Sequence, residues 1–205
     1  MFITLEGPEG SGKTSHIPFL AGYLREQGYK VLTTREPGGT PIGDQVREIL
    51  TSMGNTAMKP RTETLLFCAA RAQLVEEVIR PHLQQDEIIL SDRYADSTLA
   101  YQGYGHGNDL AVLRGLLKFA TGGLWPDLTL LLDLPVEDGL KRKLSSGGEW
   151  NRLDAYQVEF HQRVRQGFLE MARAEPARWL VIDATQPREM VQLAIRSAIM
   201  KRLTV

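Results

Sequence analysis

Residues Gly7 to Ser15 read Gly-Pro-Glu-Gly-Ser-Gly-Lys-Thr-Ser, and Gly7 to Thr14 match the spacing G-x-x-x-x-G-K-[ST] of a phosphate-binding loop. Gly7, Gly10 and Gly12 let the backbone fold tightly and aim N–H groups at phosphate oxygens, with Pro8, Glu9, Ser11 and Ser15 completing the cradle. A helix beginning directly after the loop adds partial positive charge at its N-terminus. Lys13 supplies a point charge for β- and γ-phosphates, and the Thr14 hydroxyl suits a Mg²⁺ ligand. The pattern predicts that the protein binds a nucleoside triphosphate.

A phosphate loop alone does not separate motors, switches and kinases, so the other charged residues matter. Asp92 ends an apolar run and is placed to hold Mg²⁺ through water; a helix N-cap or a structural ion pair is the competing use of an acid there. Arg93 beside it suits a second anion, or a plain salt bridge. Arg35 follows the second strand and Arg71 lies in a long helix. If these arginines converge with Arg93 on one crevice, the acceptor itself carries phosphate. No Asn-Lys-x-Asp guanine signature occurs, and Arg93-Tyr94 follows Asp92 where a hydrolase would place a side chain that orients water.

The elements that must position these residues are visible as apolar runs. Strands are predicted at 2–6, 29–34, 87–92, 128–133 and 179–183. Helices are predicted at 16–27, 42–52, 61–83, 109–121, 135–143, 152–174 and 187–203, with a short one at 96–102. In the 61–83 helix, Leu65, Leu66, Ala69, Ala72, Leu74, Val78 and Ile79 form much of the expected buried side, and Pro81 should kink or end it. Residues 103–107 read as flexible, and Ser145-Ser146-Gly147-Gly148 as a small flexible insert. Strands alternating with helices imply an α/β, doubly wound, five-stranded parallel sheet flanked by helices, as in P-loop NTPases. Ligands should gather at the carboxyl ends of its strands.

With 205 residues, 42% hydrophobic, the chain suits one domain over 1–205 with a full core. A formal net charge of -1 gives no global field to recruit nucleic acid or a membrane surface, and no apolar run is long enough to span a bilayer. The first strand begins at once, leaving no room for a secretory signal, and a single cysteine, Cys68, fits a reducing cytoplasm. The four histidines lack metal-ligand spacing.

Over its whole length the chain resembles the thymidylate kinases. The stretches that carry the resemblance are Gly7–Thr14, Arg35-Glu36-Pro37-Gly38-Gly39-Thr40, Leu65 to Gln73, Asp92-Arg93-Tyr94 and Tyr101-Gln102-Gly103. The resemblance implies transfer of the ATP γ-phosphoryl group to dTMP, giving dTDP, with Mg²⁺ and as a homodimer. It implies that Glu9 holds the acceptor 3′-hydroxyl, that Phe67 stacks on thymine and that Arg71 donates to a thymine carbonyl. Arg35 and Arg93 would grip the dTMP phosphate, Ser97 and Gln102 would lie at the base edge, and Tyr101 against the sugar at C2′.

Relatives with no basic residue inside the loop carry catalytic arginines in a short lid, here about 141–153. The loop here has Glu9 and no arginine, which leaves Lys141, Arg142, Lys143 and Arg152, with Arg142 and Arg152 as the catalytic candidates. Thr185, Gln186 and Pro187 after the last strand are expected on the adenine side from position. Two other readings stay open: a deoxynucleoside kinase of the same fold, and a P-loop switch that changes partner rather than substrate.

Overall fold

The computed structural model describes residues 1–145 and 151–203. Five strands, β1 (Phe2–Glu6), β2 (Val31–Arg35), β3 (Ile88–Asp92), β4 (Leu128–Asp133) and β5 (Trp179–Asp183), form one parallel sheet in the order β2-β3-β1-β4-β5. The central strand is buried on both faces because helices cover both. Phe2, Ile89, Leu131 and Trp179 point into one core, while Ile3, Leu5, Leu90, Leu130, Leu132 and Ile182 point into the other. The edge strands β2 and β5 are partly exposed.

The helices are α1 (Lys13–Glu26), α2 (Pro41–Thr51), α3 (Pro60–Leu74), α4 (Arg80–Leu83), α5 (Ala95–Thr98), α6 (Leu110–Ala120), α7 (Val136–Ser145), α8 (Val158–Ala174) and α9 (Arg188–Leu203). Their starts differ in a way that bears on function. The Thr40 hydroxyl caps α2 by accepting from Gly43 N, and Asp109 caps α6 by accepting from Ala111 N and Val112 N. At the start of α1 stands Gly12 with φ +93°, with no side-chain cap and no acid in the first turn. No side chain therefore caps the N–H groups of Lys13 and Thr14, an arrangement suited to an anion.

Four sequence expectations change. The helix expected at 61–83 is α3, a π-helical turn at Val75–Ile79, and α4. Pro81 has no N–H for the helical ladder, and the wider turn before it absorbs the mismatch. In α3, Leu65 is half exposed, while Glu63, Thr64, Cys68, Ala70 and Arg71 are buried, so paired charges occupy the inner face. Residues 103–107 are not a slack loop. Leu99–Gly105 is a second π-helical segment, and α8 packs so closely on it that a Cβ at Gly105 would lie 2.6 Å from the Phe160 ring.

The helix expected from Arg152 begins only at Val158. Asn151 N donates to Asp154 Oδ2 and Leu153 N to Asn151 Oδ1, local bonds that compete with helix formation. Of the insert expected at 145–148, residues 146–148 lie outside the described residues, as does part of the expected lid.

At the amino-terminal ends of β4 and β5, Asp96 is fully buried against Arg178, whose Nη1 and Nη2 donate to its two oxygens at 2.6 and 3.0 Å. Arg178 also donates to Thr129 Oγ1 and lies against the Trp125 and Trp179 rings. Removing one partner of such a pair strands a buried charge. Arg178→Met should lower unfolding free energy by about 3–5 kcal/mol in urea titrations, and adding Asp96→Asn should recover part of the loss. A double variant no more stable than Arg178→Met would contradict this.

Candidate active site

The last residues of β1, β2 and β3 are Glu6, Arg35 and Asp92; the parallel register sets Arg35 beside Asp92 and Glu6 one residue beyond it. Above them opens a cavity of about 490 Å³, whose wall combines the phosphate loop, α3, the turn after β3 and α7. Of the residues singled out from sequence, Glu9, Gly10, Gly12, Lys13, Thr14 and Ser15 of the loop line it. So do Arg35, Phe67, Arg71, Asp92, Arg93, Ser97, Tyr101, Gln102 and Arg142. Gly7, Pro8 and Ser11 lie behind the loop surface and serve its shape.

Lys13 is buried and folds back over the loop, donating to Gly7 O at 3.0 Å, Pro8 O at 2.9 Å and Ser11 Oγ at 3.2 Å. Burial, with the nearby Arg93 charge, brings its ammonium down to about 8. Gly10 and Gly139 of α7 touch backbone to backbone, since a Cβ on either would overlap the other's strand of chain. Sequence reading missed Gly139, because a glycine inside a helix signals nothing until its neighbour is known.

Thr14 Oγ1 donates to Asp92 Oδ2 at 2.5 Å. A hydroxyl and a carboxylate so placed are hard oxygen donors of the kind Mg²⁺ takes. Among the described residues no group of three or more His, Cys, Asp and Glu side chains could hold a metal alone. A Mg²⁺ held here would share its shell with phosphate and water, as that ion usually does.

The centre of the site is Arg93, in the left-handed region at φ +69°. Its Nη2 donates to Glu9 Oε1 at 2.6 Å and to the Tyr101 hydroxyl at 3.0 Å, and its Nη1 to Gly7 O and Ser97 Oγ. The Tyr101 hydroxyl donates in turn to Glu9 Oε1 at 2.7 Å. Burial works against the Glu9 charge, but Arg93, Lys13 and Lys143 hold the carboxyl below the usual carboxylate range. Glu6, beneath, accepts from Tyr94 N and the Ser97 hydroxyl. Burial, with Asp96 nearby, pushes it up to about 8. The Ser97 hydroxyl is therefore engaged between Glu6 and Arg93 rather than free for a base.

Arg71, fully buried, pairs with Glu36 through Nε and Nη2 and donates to Tyr94 O and, through Nη1, to Thr98 Oγ1 at 3.0 Å. Glu36 was not singled out, although it sits inside the Arg35-Glu36-Pro37 stretch. Burial raises its carboxyl and Arg71 opposes that rise. Arg35 lies half exposed at the rim and pairs with Asp44 at 3.0 Å.

On the opposite wall, Arg142 Nη1 donates to Ala184 O, and Lys143 Nζ reaches Asp154 Oδ1 at 2.5 Å and Glu9 Oε2 at 3.5 Å. Arg152 does not reach the cavity. It is buried, donating to Leu50 O, the Tyr156 hydroxyl and Glu63 Oε2. Its neighbours at 151 and 153 line the cavity instead. Thr185 and Gln186 bond the Asp183 carboxylate after β5, and with Pro187 they stand outside the cavity wall.

A family model described as thymidylate kinase matches residues 5–195. A thymidylate kinase of Herpetosiphon aurantiacus is 51% identical, with 100% of this chain and 97% of that protein covered. One of Thermomicrobium roseum is 54% identical, with 95% and 91% covered. The crystal structure of a thymidylate kinase from Ehrlichia chaffeensis superposes with a TM-score of 0.78 at 35% identity, covering 97% of this chain and 98% of that one.

If a triphosphate binds against Lys13, as the loop motif predicts, the buried lysine should make that binding pH-dependent. Phosphate binding needs the ammonium and raises its pKa, so the advantage is full below about pH 8 and is lost as pH rises through that value. Ionisation of Glu6 in the same range adds negative charge beneath the loop and acts in the same direction. Calorimetry with an inert triphosphate analogue should show affinity falling by up to about tenfold per pH unit above that point, with proton uptake on binding. Lys13→Met should bind weakly at every pH and lose most of the slope; an unchanged slope in that variant would refute the assignment.

Proposed function

The chain belongs to the thymidylate kinase family and phosphorylates dTMP to dTDP, and from that premise we propose how its own residues do so, with ATP as donor. The observation that carries the reading is Arg93, one cation bonded at once to the phosphate loop, to Glu9 and to Tyr101 in the wall of a single cavity. Donor and acceptor then share one wall, and a charge at their junction faces the phosphate that attacks.

In this reading the N–H groups of the loop and of the uncapped start of α1 cradle the β- and γ-phosphates, and Lys13 swings from the loop carbonyls to the transferring group. Thr14 and Asp92 would hold Mg²⁺, which when bound would supply charge neutralisation on the phosphates. Arg93 and, from the rim, Arg35 bind the dTMP phosphate. Its dianion is already nucleophilic, so no strong general base is needed, and in-line placement is the main requirement. Glu9 accepts from the 3′-hydroxyl, Tyr101 closes the space at C2′, Phe67 stacks on thymine, and the remaining Nη1 proton of Arg71 reaches a base carbonyl. Arg142 and Lys143 are the lid-side cations whose position in the cavity wall supports a catalytic role, whereas Arg152, buried on Glu63, lies outside that wall.

The reading treats 1–205 as one kinase domain acting in the cytoplasm, and it includes a homodimer. Exposed Val112 and Phe119 on one side of α6, the latter 89% exposed, support the dimer. The test is ADP release from ATP with dTMP, with thymidine, and with neither. Rapid release with dTMP alone is expected. Equal release with thymidine would favour a deoxynucleoside kinase, and release with neither acceptor would favour a nucleotide switch.

A further inference from the structure

Glu63 is 1% exposed and belongs to α3, yet none of the roles above uses it. Its two oxygens accept four hydrogen bonds. Oε1 takes Gln102 Nε2 at 2.7 Å and His106 Nε2 at 3.2 Å; Oε2 takes Arg152 Nη2 at 2.5 Å and the Tyr156 hydroxyl at 3.0 Å. Burial alone would favour the neutral acid, but the His106, Gln102 and Arg152 bonds bring the carboxyl down to about 2. Glu63 is therefore a carboxylate that only accepts.

That fixes a neighbour. A glutamine amide has a donor end and an acceptor end, and against an acceptor-only group only the nitrogen fits. Gln102 lines the nucleotide cavity and is otherwise buried. With Nε2 committed to Glu63, its Oε1 is the end left for a ligand, and among the described residues no side chain or N–H donates to it. A carbonyl oxygen held in that way accepts from a pyrimidine ring N–H and meets a bare ring nitrogen with repulsion.

We infer that Glu63 is a positioning residue for base selection: held by Arg152, Tyr156 and His106, it locks the Gln102 amide so that the pocket accepts bases carrying N3–H, thymine among them, and disfavours cytosine. This rests on the assignment of the cavity wall around Phe67, Arg71 and Gln102 to the acceptor base. A flipped amide would turn the preference around, so the buried carboxylate, which touches no substrate, acts through Gln102.

The experiment compares kcat/KM for dTMP and dCMP in the full-length enzyme, its Glu63→Gln variant and its Gln102→Leu variant. Arg152 can only donate, so glutamine at 63 would turn its oxygen to Arg152 and its nitrogen to Gln102, and the lock is lost. The dTMP-to-dCMP ratio should fall about tenfold or more in both variants, with KM for ATP unchanged. If Gln102→Leu moves the ratio and a folded Glu63→Gln does not, the base pocket stands and the positioning role of Glu63 is overturned. If neither variant moves it, the pocket assignment fails and the proposal with it. Should Glu63→Gln not fold, the unmutated enzyme still decides. The Gln102 side-chain NH₂ protons, followed by ¹⁵N-resolved exchange, should be protected and remain so when dTMP binds. Fast exchange, or protection gained only on binding, would place the nitrogen at the ligand and overturn the lock.

Discussion

Arg93 and Glu9 meet at 2.6 Å in a wall that is largely shielded from water, and the remainder of the site is arranged around that pair. A carboxylate inside a phosphate-binding loop opposes the loop's purpose unless a cation neutralises it. The cation comes from the end of β3, where a left-handed residue turns the guanidinium back over the loop. Breaking such a pair leaves an uncompensated charge, a penalty of several kcal/mol. The pair therefore ties the loop after β1 to the turn after β3, and Tyr101 bonds both members. On the proposed reading the pair spans the junction of donor and acceptor, and its geometry would set where the attacking phosphate sits.

Two further arginine–carboxylate pairs are buried beside the cavity. Arg71 is held by Glu36 and Arg152 by Glu63, and both carboxylates are almost fully covered. Buried ion pairs are poor sources of net stability. Their value here is directional. Each arginine is fixed by a carboxylate so that its remaining donors, or the groups it braces, face a defined way. The helix α3 supplies one member of each pair, which is why its inner face is charged where an apolar stripe was expected.

How much of this was legible in the sequence follows from where the information resides. The phosphate loop was legible because its chemistry constrains backbone conformation, and Gly7, Gly10 and Gly12 all adopt positive φ. The strands were legible to within about two residues, and the nearly continuous apolar runs at 88–90 and 130–132 are what parallel strands covered on both faces produce. Leu65 misled, because apolar periodicity cannot see that Glu63 and Arg71 bury themselves on partners distant in sequence. Arg152 misled for the same reason: a cation beside a glycine-rich insert reads as a lid residue, but its carboxylate lies 89 positions away. Glu6 and Glu63 gave no local signal at all, since their partners lie far off in sequence: Tyr94 and Ser97 for the first, and Gln102, His106, Arg152 and Tyr156 for the second.

The central claim, that Arg93 is the grip for the acceptor phosphate, is tested most directly by calorimetry of dTMP and of thymidine. The comparison is made between Glu9→Gln and the double variant Glu9→Gln/Arg93→Met, so that no buried carboxylate is stranded. The two ligands differ only in the phosphate. In Glu9→Gln, dTMP should bind more tightly than thymidine, and the double variant should lose about tenfold to a hundredfold of that advantage while thymidine and an inert ATP analogue bind as before. An advantage for dTMP that survives the loss of Arg93, or an equal loss for all three ligands, would contradict the account.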